Sequence, residues 1–164
     1  MMTPSLITAV TTLSATVAAF EVPAQAADLF FEGDMVRGSL YDVSTGPTCV
    51  LASEYMRREQ VVWRIRVRNK AGEMVTDDGL LRLFVQLSDG QSFNMYYGTH
   101  PRGRATDKYW TAYWAVPADY PTGTIGYKIV AIDLEGIVHE WEPFMVEASK
   151  LTIIPGETRF THEQ

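Results

Sequence analysis

Residues 61–68 read Val-Val-Trp-Arg-Ile-Arg-Val-Arg, and this run constrains the fold more than any other part of the chain. Val61, Trp63, Ile65 and Val67 fall on one side of an extended backbone, and Arg64, Arg66 and Arg68 on the other. A period of two over eight residues fits a strand with one dry face and one wet face. A helix would mix the two sets. The same pattern recurs downstream. Leu81, Leu83, Val85 and Leu87 form an expected core row, followed by Asp89-Gly90, a dipeptide that tolerates the positive φ of a hairpin turn. Phe93, Met95 and Tyr97 form the returning row. Trp110, Ala112, Trp114 and Val116 form a fourth, and Ile125, Tyr127, Ile129 and Ala131 a fifth. Further strands are expected near residues 49–56, over 138–146 with Pro143 as a bulge or edge marker, and over 151–154.

Seven or eight short strands separated by Gly, Pro and Asp turns predict an all-β, antiparallel two-sheet β-sandwich. No helical period interrupts them. With 46 % hydrophobic and 21 % charged residues, the composition is that of an ordinary globular domain. Residues 1–26 are set apart. An apolar stretch over residues 6–20 leads to Ala24-Gln25-Ala26, the small-x-small pattern of a signal peptidase site. The expected organisation is a signal peptide (1–26), an irregular N-terminal extension (27–47) punctuated by Gly33, Gly38, Gly46 and Pro47, a sandwich (48–154) and a flexible tail (155–164). Removing 26 of 164 residues leaves 138, and losing Glu21 changes the net charge from -6 to -5. An acidic chain is a poor nucleic-acid binder. The apolar leader run falls short of the ~20 residues that span a bilayer, and no second apolar stretch approaches that length, so no membrane insertion of the mature chain is expected. The expected location is the periplasm or the exterior.

Trp63 in the first long strand, the 110–117 segment, and Tyr120-Pro121-Thr122-Gly123 leading into Tyr127-Lys128-Ile129-Val130-Ala131 resemble a bacterial immunoglobulin-like or fibronectin type III-like domain. The resemblance covers roughly residues 45–154 and concerns the fold. It implies that Tyr127 serves as a corner tyrosine and that the domain binds, spaces or scaffolds. The chain has one cysteine, so the intersheet disulfide of antibody domains is absent.

Cys49, in an apolar setting, is expected to be a small core residue, the alternatives being a bridge to a partner or a metal thiolate. Cys49 precedes His100, His139 and His162, which does not fit a blue-copper spacing. No HxH, HxxxH or CxxC pair suggests zinc. No cofactor or metal is expected. There is no G-x-S-x-G nucleophile motif. Glu140 and Glu142 share a face on an extended strand, where a wet surface is the plainer reading. His100-Pro101-Arg102-Gly103-Arg104 is a basic loop that could clasp an anion or simply be solvated. No catalytic residue is assigned, and the chain is expected to be non-enzymatic.

Parity marks the outward residues. If the rows above face the core, Phe84, Tyr96, Lys128, Val130 and Ile132 face out, with Gln86 beside them. Such a cluster is expected to be a contact patch for another envelope protein, or to be covered by residues 27–47 or the tail. The alternative is a carbohydrate- or small-ligand-binding sandwich using Tyr96, Tyr109 and Tyr113. On export, mass spectrometry of protein from the native envelope should find a first residue at or near Ala27. An intact leader on most molecules rules this out.

Overall fold

The computed structural model describes residues 28–38, 49–99, 107–144, 146 and 149–156. Among these the fold is all-β, with no α-helix. The strands are β1 (Phe30–Arg37), β2 (Glu54–Met56), β3 (Gln60–Arg68), β4 (Arg82–Leu87), β5 (Ser92–Asn94), β6 (Tyr96–Thr99), β7 (Lys108–Ala115), β8 (Gly123–Ile125), β9 (Tyr127–Ile132), β10 (Val138–Trp141) and β11 (Leu151–Ile154). One four-stranded sheet runs β1-β3-β7-β6 and a second runs β10-β9-β4-β5. A three-stranded sheet, β2-β11-β8, completes the fold. All pairings are antiparallel except β2 with β11, which is parallel. The architecture is compatible with a β-sandwich, with one sheet more than the two expected.

The core follows the sequence rows. Val61, Trp63, Ile65 and Val67 of β3 are buried, as are Trp110, Ala112 and Trp114 of β7, and Val116 just beyond it. Opposite them lie Leu83, Val85, Leu87, Ile129 and Ala131. The Trp63 ring joins the two layers. It stacks on Phe93 at 6.0 Å between centroids and meets Tyr127 edge-on at 5.9 Å. Phe93 continues to Trp114, and Trp114 to Tyr120. Such contacts add to the area these rings bury.

Four local expectations are corrected. Phe30–Arg37 forms a full strand inside the stretch expected to be irregular. Gly33 there is no breaker: a Cβ at Gly33 would lie 2.2 Å from Ile65 Cδ1, so glycine makes room for a core isoleucine on the neighbouring strand. Leu81 is 63 % exposed and Leu80 is buried in its stead. The ladder begins only at Arg82, paired with Ile132, so nothing enforces alternation before it. Cys49 is exposed, with φ at +59°, rather than a core residue. The strand expected over 138–146 ends at Trp141, just before Pro143, whose nitrogen cannot donate to a ladder.

Two breaks in the strands matter for the surface. The segment after the Asp89–Gly90 turn changes sheet. Met95 N still donates to Leu83 O of β4, but Tyr96 already pairs with Thr111 of β7. The other break lies between β10 and β11. Trp141 is the last residue of β10 paired with β9, opposite Ile129, and the next ladder residue is Leu151, opposite Ile125 of β8.

Replacing Trp63 by Ala should cost about 3–5 kcal/mol, the range for removing a large core ring. Denaturant unfolding measures it. An unchanged midpoint rejects Trp63 as the joint between sheets.

Candidate functional site

The parity patch does not assemble as expected. Phe84, Lys128, Val130 and Ile132 share the outer face of the β10-β9-β4-β5 sheet, with Phe84 opposite Val130 and Lys128 opposite Gln86. Tyr96 is on the other sheet, because of the crossing at Met95. Val130, at the sheet's centre, is only 4 % exposed. Long polar side chains lie over this face. The Arg82 guanidinium sits 4.4 Å above the Phe84 ring, and Lys128 Nζ pairs with Glu140 at 2.6 Å. Their aliphatic stems can cover apolar neighbours while their charges stay wet. Glu140 is thereby engaged with Lys128, and Glu142 lies beyond the end of β10.

The outer face of the β1-β3-β7-β6 sheet is different. It brings together Tyr96, Tyr109 and Tyr113, the three rings of the alternative reading. Tyr109, Thr111 and Tyr113 alternate outward along β7, while Trp110, Ala112 and Trp114 alternate inward. Tyr96 pairs with Thr111, so Tyr113 is its diagonal neighbour, roughly 7–8 Å away between Cα atoms. Tyr96 is 67 % exposed and Tyr113 66 %. Tyr109 is half-buried, because Arg66 lies 4.7 Å over its ring and donates to its hydroxyl at 3.1 Å.

Beyond Tyr109 runs a ladder of charge. Asp34 of β1 accepts two hydrogen bonds from Arg64 of β3, at 2.8 and 2.6 Å. Glu32 lies 3.7 Å from Arg68, and Asp107 lies 3.9 Å from Arg66. The arginine row expected to be simply solvated is therefore matched by carboxylates. The signal was present in the sequence as Glu32-x-Asp34 against Arg64-x-Arg66-x-Arg68. Gly33, which punctuates that stretch, hides the period there. The bond to Asp34 raises the Arg64 pKa further.

Glu142, Pro143 and Phe144, with Ser149 and Lys150, help to form a feature that the sequence does not signal. Two grooves of about 480 Å³ each lie there, sharing Tyr127, Pro143, Phe144 and Ser149 as a wall. That volume suits a small ligand. The first groove adds Leu87, Ile125, Lys128 and Glu142, and the second Phe31, Met35, Leu51 and Trp141. Phe144 is 83 % exposed.

The shifted titratable groups do not converge in either groove. Burial pushes the Tyr55 and Tyr127 hydroxyls up, and burial with the Asp89 bond pushes Tyr120 up to about 12. Asp89 is lowered in return, its bonds from Tyr120 and Gln91 outweighing burial. Asp133, buried in the β9–β10 turn, accepts from Ile137 N at 2.8 Å and Glu135 N at 3.1 Å and pairs with His139 at 2.9 Å. The His139 bond, with help from the two backbone donors, holds its carboxyl below the ordinary range. These are turn clasps. Among the described residues no group of three or more His, Cys, Asp or Glu could hold a metal ion. His100, residues 101–104 and His162 lie outside the described residues, as does the leader.

The lowered pKa of Asp133 makes stability pH-dependent. The contribution is complete above the ordinary carboxylate range and is lost as pH falls through the lower folded value. Asp133→Asn should therefore lower the melting temperature at neutral pH, with the deficit shrinking in acid. A deficit independent of pH contradicts the clasp.

No protein-family model, curated protein sequence or solved structure matches the chain.

Proposed function

We propose that the chain is an exported, non-enzymatic immunoglobulin-like module that docks on another envelope protein through the outer face of the β1-β3-β7-β6 sheet. The strand order supports the finer fold reading. Labelled A, B, E, D, the first sheet has the order of a constant-type immunoglobulin sheet, and β10-β9-β4-β5 corresponds to G, F, C with one added strand. The A-x-A site at residues 24–26 supports export.

One observation carries the docking reading: Tyr96 and Tyr113, each about two-thirds exposed, stand side by side on adjoining strands of an open sheet face. Tyrosine and arginine are the residues that interface centres favour, and both are here. The rigid Asp34–Arg64 pair holds the flank in place without further ordering on binding. The docking function thus stays with the chain, but its surface moves from the Phe84 sheet to the tyrosine sheet. A second reading keeps the same residues: Tyr96, Tyr109 and Tyr113 as a stacking platform for a sugar. Their common face favours it, while the engagement of Tyr109 by Arg66 limits it to two open rings.

The test is Tyr96→Ser with Tyr113→Ser. The melting temperature should stay close to that of the native chain. A partner cross-linked in the native envelope and then titrated as a purified protein should bind at least about 30-fold more weakly, since interface tyrosines are often worth ~2 kcal/mol each. Phe84→Ser should leave that affinity nearly unchanged. Binding that survives the tyrosine double variant but fails with Phe84→Ser returns the docking surface to the other sheet. Binding of a glycan array, lost in the double variant, selects the sugar reading.

A further inference from the structure

The second groove gathers aromatic rings from several strands. Phe31 of β1 stacks on Trp141 of β10, with centroids 6.4 Å apart and planes 19° apart. β1 ends one large sheet and β10 the other, so this contact joins the two sheets at their margins. Pro143 stops the β10 ladder, and Phe144 follows it onto the groove wall, 83 % exposed. Tyr127 of β9 completes the set. Phe31, Tyr127, Trp141 and Phe144 thus line one groove of about 480 Å³, a size that suits a small molecule.

The charges in this groove are of one sign. Glu32 and Asp34 of β1 line it, and among the described residues no Lys, Arg or His does. The neighbouring stretches of sequence, 39–48 and 145–148, contain no Lys, Arg or His either, and their charged residues are Asp42 and Glu147. Arg64 and Arg68 hold the two β1 carboxylates from the β3 side, but neither arginine lines the groove. The field of Asp34 is felt at the groove wall: burial first, and then the Asp34 charge, push the Tyr127 hydroxyl up. The first groove differs, because Lys128 and Lys150 line it with Glu142.

We propose that the second groove binds a small quaternary ammonium ion, with its methyl groups against the rings and its charge toward the β1 carboxylates. The negative face of an aromatic ring attracts a cation, and tryptophan does so most strongly. A quaternary nitrogen has no N–H, so ring walls leave it short of no hydrogen bond. A primary ammonium would lose its water without replacement. An anion would be repelled by Glu32 and Asp34, and a neutral ligand would desolvate them with nothing in return. The site stands apart from the docking reading, since β1 and the Tyr96 strand β6 are opposite ends of one sheet.

Calorimetric titration of the chain expressed from its full coding sequence is the test. The probes are choline and dimethylbutanol, its uncharged isostere in which a carbon replaces the nitrogen. Choline should bind at least about tenfold more tightly than dimethylbutanol. Trp141→Leu keeps an apolar wall but removes the best ring face, so it should weaken choline about tenfold and dimethylbutanol by no more than about twofold. Phe144→Ala and Glu32→Gln, both at exposed positions, should leave the thermal melt unchanged and weaken choline at least about threefold each. Tyr96→Ser with Tyr113→Ser should leave choline binding as it is. Equal binding of the two probes, no choline binding up to about 100 mM, or choline binding indifferent to both Phe144→Ala and Glu32→Gln overturns the proposal.

Discussion

Everything in this fold hangs on Trp63. It lies at the centre of β3 with no exposed surface, and its ring reaches across the gap to Phe93 of β5 and Tyr127 of β9. The two four-stranded sheets are thus fixed to each other through one side chain and its neighbours. Its indole nitrogen has no hydrogen-bond partner among the described residues, and burying a donor without a partner has a cost. The area and ring contacts of a tryptophan here must outweigh that cost. The tyrosine face depends on the same strand: Trp63 points inward only because Arg64 and Arg66 point outward, and Arg66 positions Tyr109.

Much of this was legible because period two is a strong signal when one face is dry. β3, β4, β7 and β9 follow their rows closely, and β11 falls within the bounds its residues suggested. The strand β1 was not legible, because Gly33 resembles a turn until its neighbour is known. Only the three-dimensional position of Ile65 explains it. The crossing of the chain from β5 to β6 was also hidden, for a subtler reason. Phe93, Met95 and Tyr97 keep the same inward phase while the chain passes from one sheet to the other. Alternation records which residues face the core, and it does not record from which side of the core they do so.

The surface shows the same division. Phe84, Val130 and Ile132 alternate with the buried Leu83, Val85, Ile129 and Ala131, but direction is not exposure. Arg82, Lys128 and Glu140 cover that face because long charged side chains on adjoining strands lie across their apolar neighbours. On the other sheet Arg64, Arg66 and Arg68 are drawn toward the carboxylates and the Tyr109 ring, which leaves Tyr96 and Tyr113 standing clear. Which aromatic residues remain uncovered was decided by the charges around them, and those depend on strand order.

The parallel pair of β2 and β11 has a consequence for how the chain must fold. Glu54 lies opposite Thr152, 98 residues further along the chain, while β8 reaches the same small sheet only through β11. Neither β2 nor β8 has a neighbour in that sheet until the final strand arrives. A chain emerging from its amino end can assemble the β3-centred core early, yet it must hold two short edges open until residues 151–154 appear. Contacts so distant in sequence form late and slowly. A chain cut short before residue 151 would lose the core residues Leu151 and Ile153 and expose two strand edges to whatever lies nearby.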